Sequence, residues 1–368
     1  MNKEIVPAGQ YISLMILFVF GSSLFMGVTG KSGSSSWIAL LLAMGLSLPF
    51  MLIYARLSVL FPGKDLFDML IAVFGGIGGK IVCCVYIWYA LHLGSLVLRN
   101  FGEFCRTVAM TETPMIVPML FVGLICVSAV KAGLEVLGRS AKLLLLFSFV
   151  VIVIVEFLGM PLFHFENLRP ILDLGWTPVI NDAFGAFSFP FAETVLFLGT
   201  FRALPKKGSS YKVLLSGLLI SGLIITVISL RNLLVLGPNS LSSLYFPSYV
   251  AVSRINVGDF LTRIEGSSAI VFCTSLFIKV SICLYVTSNG MAKVFKLKSY
   301  RSVVLQMGLI MVYLAQFIYK DIFEMQHFAF QTYKYYALPF QVIIPLILWI
   351  GAELVARKGK QKQVSPQS

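Results

Sequence analysis

The stretch SFPFAET, residues 188–194, interrupts a long apolar run at 181–203, and GSS at 21–23 interrupts the first apolar run at 9–30. Each run has the roughly 20 residues that a membrane-spanning helix needs. Proline removes one helix hydrogen bond, and glycine tolerates an unwound backbone. The two stretches therefore predict two membrane helices that are broken near their middle. The alternative is that small residues and proline are only tolerated there, as at many contacts between membrane helices.

The composition places the whole chain in the membrane. Of its 368 residues, 58% are hydrophobic and 12% are charged, whereas soluble domains carry roughly 25% charged residues. A surface this apolar must face lipid rather than water. The apolar runs predict ten spanning helices, at 9–30, 37–60, 79–102, 113–132, 140–161, 181–203, 211–237, 265–289, 300–319 and 336–356. We therefore predict an all-α integral membrane protein with short connections.

Ten helices divide into two halves of five, residues 9–161 and 181–356. Because five is odd, the second half enters the membrane from the opposite side, which is the arrangement of an inverted repeat. In many transporters built this way, broken helices form the solute site, and both predicted breaks lie in the first helix of a half. We predict one transporter-like transmembrane domain, 1–356, followed by a basic, disordered cytoplasmic tail, 357–368.

The basic residues predict the orientation. With the N-terminus inside, the predicted inner segments hold more than twice as many Lys and Arg residues as the outer segments. This bias follows the positive-inside rule and places both termini on the cytoplasmic side. A net charge of +13 would suggest nucleic acid as the partner of a soluble protein. Here the charges sit in short loops between apolar runs, so we expect contact with a lipid bilayer and no nucleic acid.

Two ionisable residues are predicted near the middle of the membrane. Glu193 and Lys279 lie about 12 and about 14 residues into their helices, or roughly 18 and 21 Å from the outer end. Ionisable residues at this depth are costly and usually functional. A lone buried ammonium would be several kcal/mol too costly, so we expect the two side chains to pair directly or through a ligand or water. The alternatives for Lys279 are snorkelling to the interface and contact with a water-filled cavity.

The two breaks and this charged layer together predict a ligand site. A half-helix that begins at a break directs its partial positive charge at a carboxylate. The predicted ligand-binding residues are Gly21, Ser22, Ser23, Tyr89, Leu93, Phe189, Pro190, Glu193 and Lys279. Tyr89 and Leu93 share one stripe of their helix, for which packing is the alternative interpretation. His92, at the same depth, is expected to bond a neighbouring helix, and a proton relay is the alternative.

Other charged residues are predicted to have structural roles. Arg99 and Glu103 are four residues apart on one helix face and are expected to form a structural ion pair. Arg231 lies near a helix end and is expected to snorkel, and no role is assigned to Glu156. The sequence has no spacing typical of metal ligands and no set of nucleophile and base. We therefore expect neither a cofactor nor an enzymatic activity.

Several short stretches, taken together, resemble a known family, the endospore germination permeases of the amino acid–polyamine–organocation superfamily. The stretches are NLRPIL (167–172) with Gly175, ETVLFL (193–198), FPSY (246–249), GDFL (258–261), RIE (263–265), FIKVSICLY (277–285) and PFQVIIP (339–345). Arg99 and Glu103 also fall where that family has an Arg and a Glu. The resemblance covers about residues 5–356.

This resemblance implies the ten-helix inverted-repeat fold, with a solute pocket between the first, third, sixth and eighth helices. It implies the B-type subunit of a nutrient germinant receptor in the spore inner membrane, together with an A-type membrane subunit and a C-type lipoprotein. Amino acids are the commonest ligand class in that family. One departure concerns the ligand's carboxylate site, because many transporters of this fold have a Gly-rich stretch where this chain has Gly21-Ser22-Ser23.

Two functions remain open at the level of the sequence. In the first, the protein is a sensor whose ligand shifts an equilibrium between two conformations that a partner detects. In the second, it is an amino-acid permease, either coupled to protons or uncoupled. A fixed charge on Lys279 would repel a coupling sodium ion, which favours the sensor, while a proton route through Glu193, Lys279 and His92 would serve the permease.

Overall fold

The computed structural model describes residues 4–28, 31–204, 209–256 and 264–364. Within these ranges the chain is helical and forms no β-strand. The α-helices are α1 Ala8–Phe20, α2 Ser23–Met26, α3 Ser36–Leu60, α4 Leu66–Phe74, α5 Gly76–Phe104, α6 Ile116–Ala132, α7 Leu134–Gly159, α8 Trp176–Ala186, α9 Ser209–Leu236, α10 Pro238–Ser243, α11 Pro247–Ser253, α12 Glu265–Val294, α13 Val304–Phe317, α14 Ile322–His327, α15 Tyr333–Leu338 and α16 Ile344–Val364.

Eight helical segments of the described ranges are long and apolar enough to cross a membrane, and two shorter apolar helices, α6 and α13, accompany them. The eight are Ala8–Met26, Gly33–Leu60, Gly76–Ala109, Leu134–Leu162, Trp176–Ala203, Ser210–Leu236, Glu265–Val294 and Ile322–Arg357. The predicted class, an all-α multi-pass membrane protein, is confirmed. The count of ten spans and the cytoplasmic position of the termini stay predictions.

The first spanning helix is broken at Gly21. Helix α1 ends at Phe20, and α2 begins at Ser23. Between them the backbone of Gly21 has φ +37° and ψ −126°, a conformation that a side chain disfavours and glycine accepts. The predicted interruption at 21–23 is therefore a real change in the path of the chain.

The second broken helix runs from Trp176 to Ala203 and changes its winding twice. Helix α8 continues into a wider π-helical turn, Phe187–Phe191, which is followed by a 3₁₀ segment, Ala192–Ala203. Phe189 lies outside helical geometry, with φ −132° and ψ 107°. Pro190, which has no amide hydrogen to donate, follows it directly. The sequence SFPFAET thus interrupts the regular α-helix close to Glu193.

Four spanning segments form the centre of the molecule. The buried share of the apolar 18-residue stretch in each of these four segments is 67% to 89%, against 22% to 50% in the other four long segments. The four are Ala8–Met26, Gly76–Ala109, Trp176–Ala203 and Glu265–Val294. Helix α12 packs against both α5 and α1. The first, third, sixth and eighth predicted spans therefore enclose the interior, while the remaining helices present apolar side chains outward, as expected toward lipid.

Some predicted boundaries differ from the structure. The segment 320–335 separates two predicted spans, yet α14 begins at Ile322 and the chain stays helical through α15 and α16. Helix α16 continues to Val364, and the basic, disordered tail at 357–368 stays a prediction. Helix α7 begins at Leu134 rather than at residue 140. Of the stretches that carry the family resemblance, 258–261 and Arg263 lie outside the described residues.

Candidate ligand site at the broken helices

A buried ion pair joins the second broken helix to α12. Lys279 Nζ donates to Glu193 Oε2 at 2.5 Å, and both side chains are 0% exposed. Each charge alone would be expensive to bury, and the pairing offsets part of that cost. The structure thus brings together the two charges that the sequence places at one depth, and Lys279 does not snorkel.

Gly21 makes this contact possible. A Cβ atom built at position 21 would overlap Lys279 Cδ and lie 3.0 Å from its Nζ. The backbone carbonyl of Gly21, freed by the break, accepts a hydrogen bond from Ser275 Oγ at 2.9 Å. The unwound glycine therefore makes room for the lysine stem and connects the first helix to α12.

Two aromatic rings flank the ammonium group. Lys279 Nζ lies 5.2 Å from the centre of the Phe18 ring and 5.1 Å from that of Phe189. A cation within about 6 Å of a ring centre is attracted to the ring's negative face. Since Phe18 precedes the first break and Phe189 lies in the second, both interruptions contribute to holding the charge.

A hydrogen-bond network extends from Glu193 to the last spanning segment. Tyr333 donates from its hydroxyl to Glu193 Oε1 at 2.7 Å, and its oxygen lies 3.2 Å from the hydroxyl oxygen of Tyr89. Gln341 donates from Nε2 to Tyr89 at 2.9 Å and to the carbonyl of Ser188 at 2.8 Å. Both oxygens of the Glu193 carboxylate are therefore bonded, and the network runs back to the break at 187–191.

A small cavity lies beside the pair. Its volume is about 30 Å³, and it is lined by Ser22, Leu93, Leu96, Val97, Asn100, Phe189, Glu193, Tyr319, Phe328, Ala329 and Tyr333. Asn100 Nδ2 donates to Ser22 Oγ at 3.1 Å, so one wall is polar while the aliphatic wall comes from α5. This volume corresponds to about one water molecule. In this conformation the site is closed around the ion pair.

The predicted site residues divide into three groups. Ser22, Leu93, Phe189 and Glu193 line the cavity, while Gly21 and Lys279 adjoin it through the contacts described above. Tyr89 takes part in the network one step away. The remaining two do not line the cavity: Ser23 donates from Oγ to the carbonyls of Val19 and Phe20, and Pro190 is buried within the break.

Tyr333 and Gln341 are absent from the predicted site residues. Tyr333 falls between two predicted spans, where the neighbouring Gln331, Thr332 and Lys334 weaken the apolar signal. Gln341 belongs only to the stretches that carry the family resemblance. A polar side chain inside an apolar spanning run is itself a signal of function, and applied to Gln341 it would have identified the last helix as part of the site.

Three further predictions concern residues outside the pocket. Arg99 and Glu103 are 2.8 Å apart, and Glu103 also contacts Arg106 at 2.8 Å. The prediction that Arg231 snorkels is wrong, because Arg231 is 4% exposed and pairs with Glu156 at 3.0 Å. That pairing also gives Glu156 the role that the sequence did not suggest.

His92 has neither of its two suggested roles in this conformation. Its ring stacks on Trp88 with centres 5.3 Å apart and lies 5.0 Å from the ring of Tyr336. Within the described residues its Nδ1 atom has no hydrogen-bond partner. His92 therefore packs in an aromatic cluster on the side of α5 and is not joined to Glu193.

Interrupted helices around a buried charged pair define a membrane protein of the transporter fold. The solved structure of Mhp1, a nucleobase-cation-symport-1 family transporter in a closed conformation with bromovinylhydantoin bound, matches with a TM-score of 0.71 at 11% identity, over 100% of this chain and 95% of that one. MhsT in complex with L-phenylalanine matches with a TM-score of 0.59 at 11% identity, over 97% of both chains. At this identity the likeness shows the fold alone.

The family follows from the sequence. The sequence model of the spore permease family, described as "Spore germination protein", matches residues 5–325. Spore germination protein KB of Bacillus subtilis (strain 168) is 30% identical over 358 residues, which are 96% of this chain and 95% of that protein. The chain belongs to the spore germination permease family, so the predicted resemblance is confirmed. It is a germinant receptor or permease-like membrane protein, and its family and fold are those of receptors and transporters rather than of enzymes.

Proposed function

We propose that this protein is the B-type membrane subunit of a spore germinant receptor and that it binds a small nutrient, an amino acid, beside Glu193 and Lys279. The observation that carries the proposal is the buried pair between a broken helix and α12. A zwitterionic amino acid carries one ammonium and one carboxylate, the same two charged groups as the pair. Its ammonium can replace Lys279 at Glu193, and its carboxylate can replace Glu193 at Lys279.

Binding in this way requires a change of conformation. The cavity of about 30 Å³ is far smaller than the 300 Å³ at which pockets for small molecules begin. The ligand must separate the pair and move at least one wall, of which Phe189 and the break around it are the least regular part. A ligand that binds the open arrangement better shifts the population toward it, and this shift would be the germination signal.

The setting of the receptor belongs to the same proposal. We place ten spans in the spore inner membrane, with both termini in the cytoplasm, in complex with an A-type membrane subunit and a C-type lipoprotein. The second candidate function is an amino-acid permease, proton-coupled or uncoupled. It is favoured by the fold, which the nucleobase-cation-symport-1 family transporter Mhp1 shares.

The test begins with purified protein in detergent and a panel of amino acids, sugars and inorganic cations. We expect one amino acid class to raise the unfolding temperature in a saturable way, and the double variant Glu193→Gln with Lys279→Met to lose this shift. Stabilisation by a sugar alone, or an unchanged shift in the double variant, would contradict the proposed site. Flux of the binding solute into proteoliposomes then separates the two functions, because a permease, coupled or uncoupled, carries labelled solute across the membrane and a sensor does not.

A further inference from the structure

A second, larger cavity lies between the ends of α2, α8, α10 and α14, and we call it the outer cavity. Its volume is about 320 Å³, and its lining includes Lys31, Asn181, Ser242 and His327. Phe189 and Ala329 line both this cavity and the small one beside Glu193. Since pockets for small molecules begin at about 300 Å³, the outer cavity has room for a solute in the conformation in which the inner one does not.

The acidic residue that lines the outer cavity, Asp182, forms hydrogen bonds within the protein. Asp182 Oδ2 accepts hydrogen bonds from the backbone amides of Lys31 and Ser32 at 3.0 and 2.9 Å, and from Ser32 Oγ at 2.7 Å. Three donors on one carboxylate oxygen hold the side chain in a fixed position. Asp182 therefore fixes the chain at 31–32 against α8 and brings the side chain of Lys31 to the cavity.

Two side chains at the lining, those of Lys31 and Asn181, offer hydrogen-bond donors to a solute. The side chain of Lys31 is exposed and forms no ion pair within the described ranges. Asn181 accepts from Lys334 Nζ through Oδ1, which leaves the two hydrogens of its amide nitrogen to donate. An ammonium and an amide donor that line the same cavity are suited to a carboxylate, not to a cation.

We propose that the outer cavity is a second binding site, which takes a small solute carrying a carboxylate and holds that group at Lys31 and Asn181. The preference for an anion follows from the donors that line the outer cavity and does not depend on the proposed function. That the solute is an α-amino acid on its way to Glu193 and Lys279 rests on the proposed function. Phe189 and Ala329 separate the two sites, so movement of the Phe189 ring connects them.

Two neighbouring serines allow a matched test. Ser242 and Ser243 are both exposed, and each donates from Oγ to the carbonyl three residues earlier, at 2.9 and 3.0 Å. Ser242 lines the outer cavity and Ser243 does not. Each is changed to cysteine in full-length protein whose exposed Cys84 and Cys273 have been replaced by alanine. Reaction rates are then measured with a negatively and a positively charged methanethiosulfonate reagent of similar size.

The ratio of the negative to the positive reagent's rate should be about threefold to tenfold higher at Ser242→Cys than at Ser243→Cys, because the ammonium of Lys31, which lines the same cavity as Ser242, attracts one reagent and repels the other. Adding Lys31→Gln should bring the two ratios together, and this exposed residue can change without loss of folding. Equal ratios at the two cysteines, or a difference that survives Lys31→Gln, would overturn the anion site.

L-Alanine and L-alaninamide, which lacks the carboxylate, separate the two proposals. L-Alanine should slow the reaction at Ser242→Cys at least threefold, L-alaninamide should not, and the protection should persist in the Glu193→Gln, Lys279→Met background. Protection that disappears in that background would place the amino acid at the inner pair alone, which overturns the outer site and leaves the proposed function standing. No protection in either background would also overturn the outer site.

Discussion

Gly21 leaves the space through which the side chain of Lys279 reaches Glu193. A Cβ atom at position 21 would overlap the lysine stem, and the backbone there has φ +37° and ψ −126°, a conformation that costs a residue with a side chain on the order of 1–3 kcal/mol. The break in the first helix and the buried ion pair therefore depend on each other, and a side chain added at position 21 should disrupt the pair.

Replacing Gly21 with leucine should abolish the ligand response while the protein remains in the membrane. The new side chain would displace Lys279 from Glu193, so we expect the affinity to fall about tenfold or more, which corresponds to about 1.4 kcal/mol. Gly9→Leu is the control, since Gly9 lies in the same helix and a Cβ atom added there would have nothing within 4 Å. A dose response of Gly21→Leu equal to that of Gly9→Leu would show that the site lies elsewhere.

Removing one partner of the ion pair should destabilise the protein more than removing both. Lys279→Met leaves Glu193 buried with its charge uncompensated, which destabilises a protein by about 3–5 kcal/mol. Glu193→Gln with Lys279→Met removes both charges and should unfold at a temperature close to that of the wild type. Thermal unfolding in detergent measures both variants, and a double variant as unstable as Lys279→Met would argue against a direct pair.

Tyr333→Phe should lower stability and ligand affinity together. The change removes a hydrogen bond to Glu193 Oε1, and a bond to a charged group contributes about 1.5–3 kcal/mol. Tyr335→Phe is the matched control, because Tyr335 is 65% exposed and lies two residues away. If both variants unfold at the same temperature as the wild type and bind ligand equally well, the carboxylate does not depend on Tyr333.

Asp65 should make stability depend on pH. It caps α4, outside the spanning segments, and burial together with repulsion from Asp68 raises its pKa above the usual range. A folded-state pKa raised above the unfolded value adds stability at low pH, and this addition is lost as the pH rises through the folded pKa. Asp65→Asn should therefore raise the unfolding temperature relative to the wild type at pH 8, and less so at pH 4.5. The same difference at both values would contradict this explanation.

The sequence was sufficient for the elements that have a strong local signal. Apolar runs predicted the spanning helices, and glycine and proline located both breaks within a few residues. The depth of Glu193 and Lys279 in helices running in the same predicted direction was enough to suggest that they meet, because a bilayer makes any unpaired charge costly.

What the sequence could not show depends on contacts between distant parts of the chain. Tyr333 and Glu193 form a hydrogen bond although they are 140 positions apart in the sequence. The polar residues next to Tyr333 lower the local hydrophobicity, and the helix there is stabilised by packing instead. Arg231 resembled a snorkelling residue because its partner Glu156 lies in another helix. The size of the cavity likewise follows from how the helices pack, which no single stretch of sequence encodes.

The most direct test of the central claim is equilibrium binding, by calorimetry, of the amino acid that gives the largest thermal shift. Wild-type protein, the Gly9→Leu control and the Glu193→Gln, Lys279→Met variant are compared at equal folded concentration. We expect equal affinities for the first two and a loss of about 100-fold or more in the third, which corresponds to about 2.7 kcal/mol. An affinity unchanged in the double variant would contradict a ligand site at the buried pair.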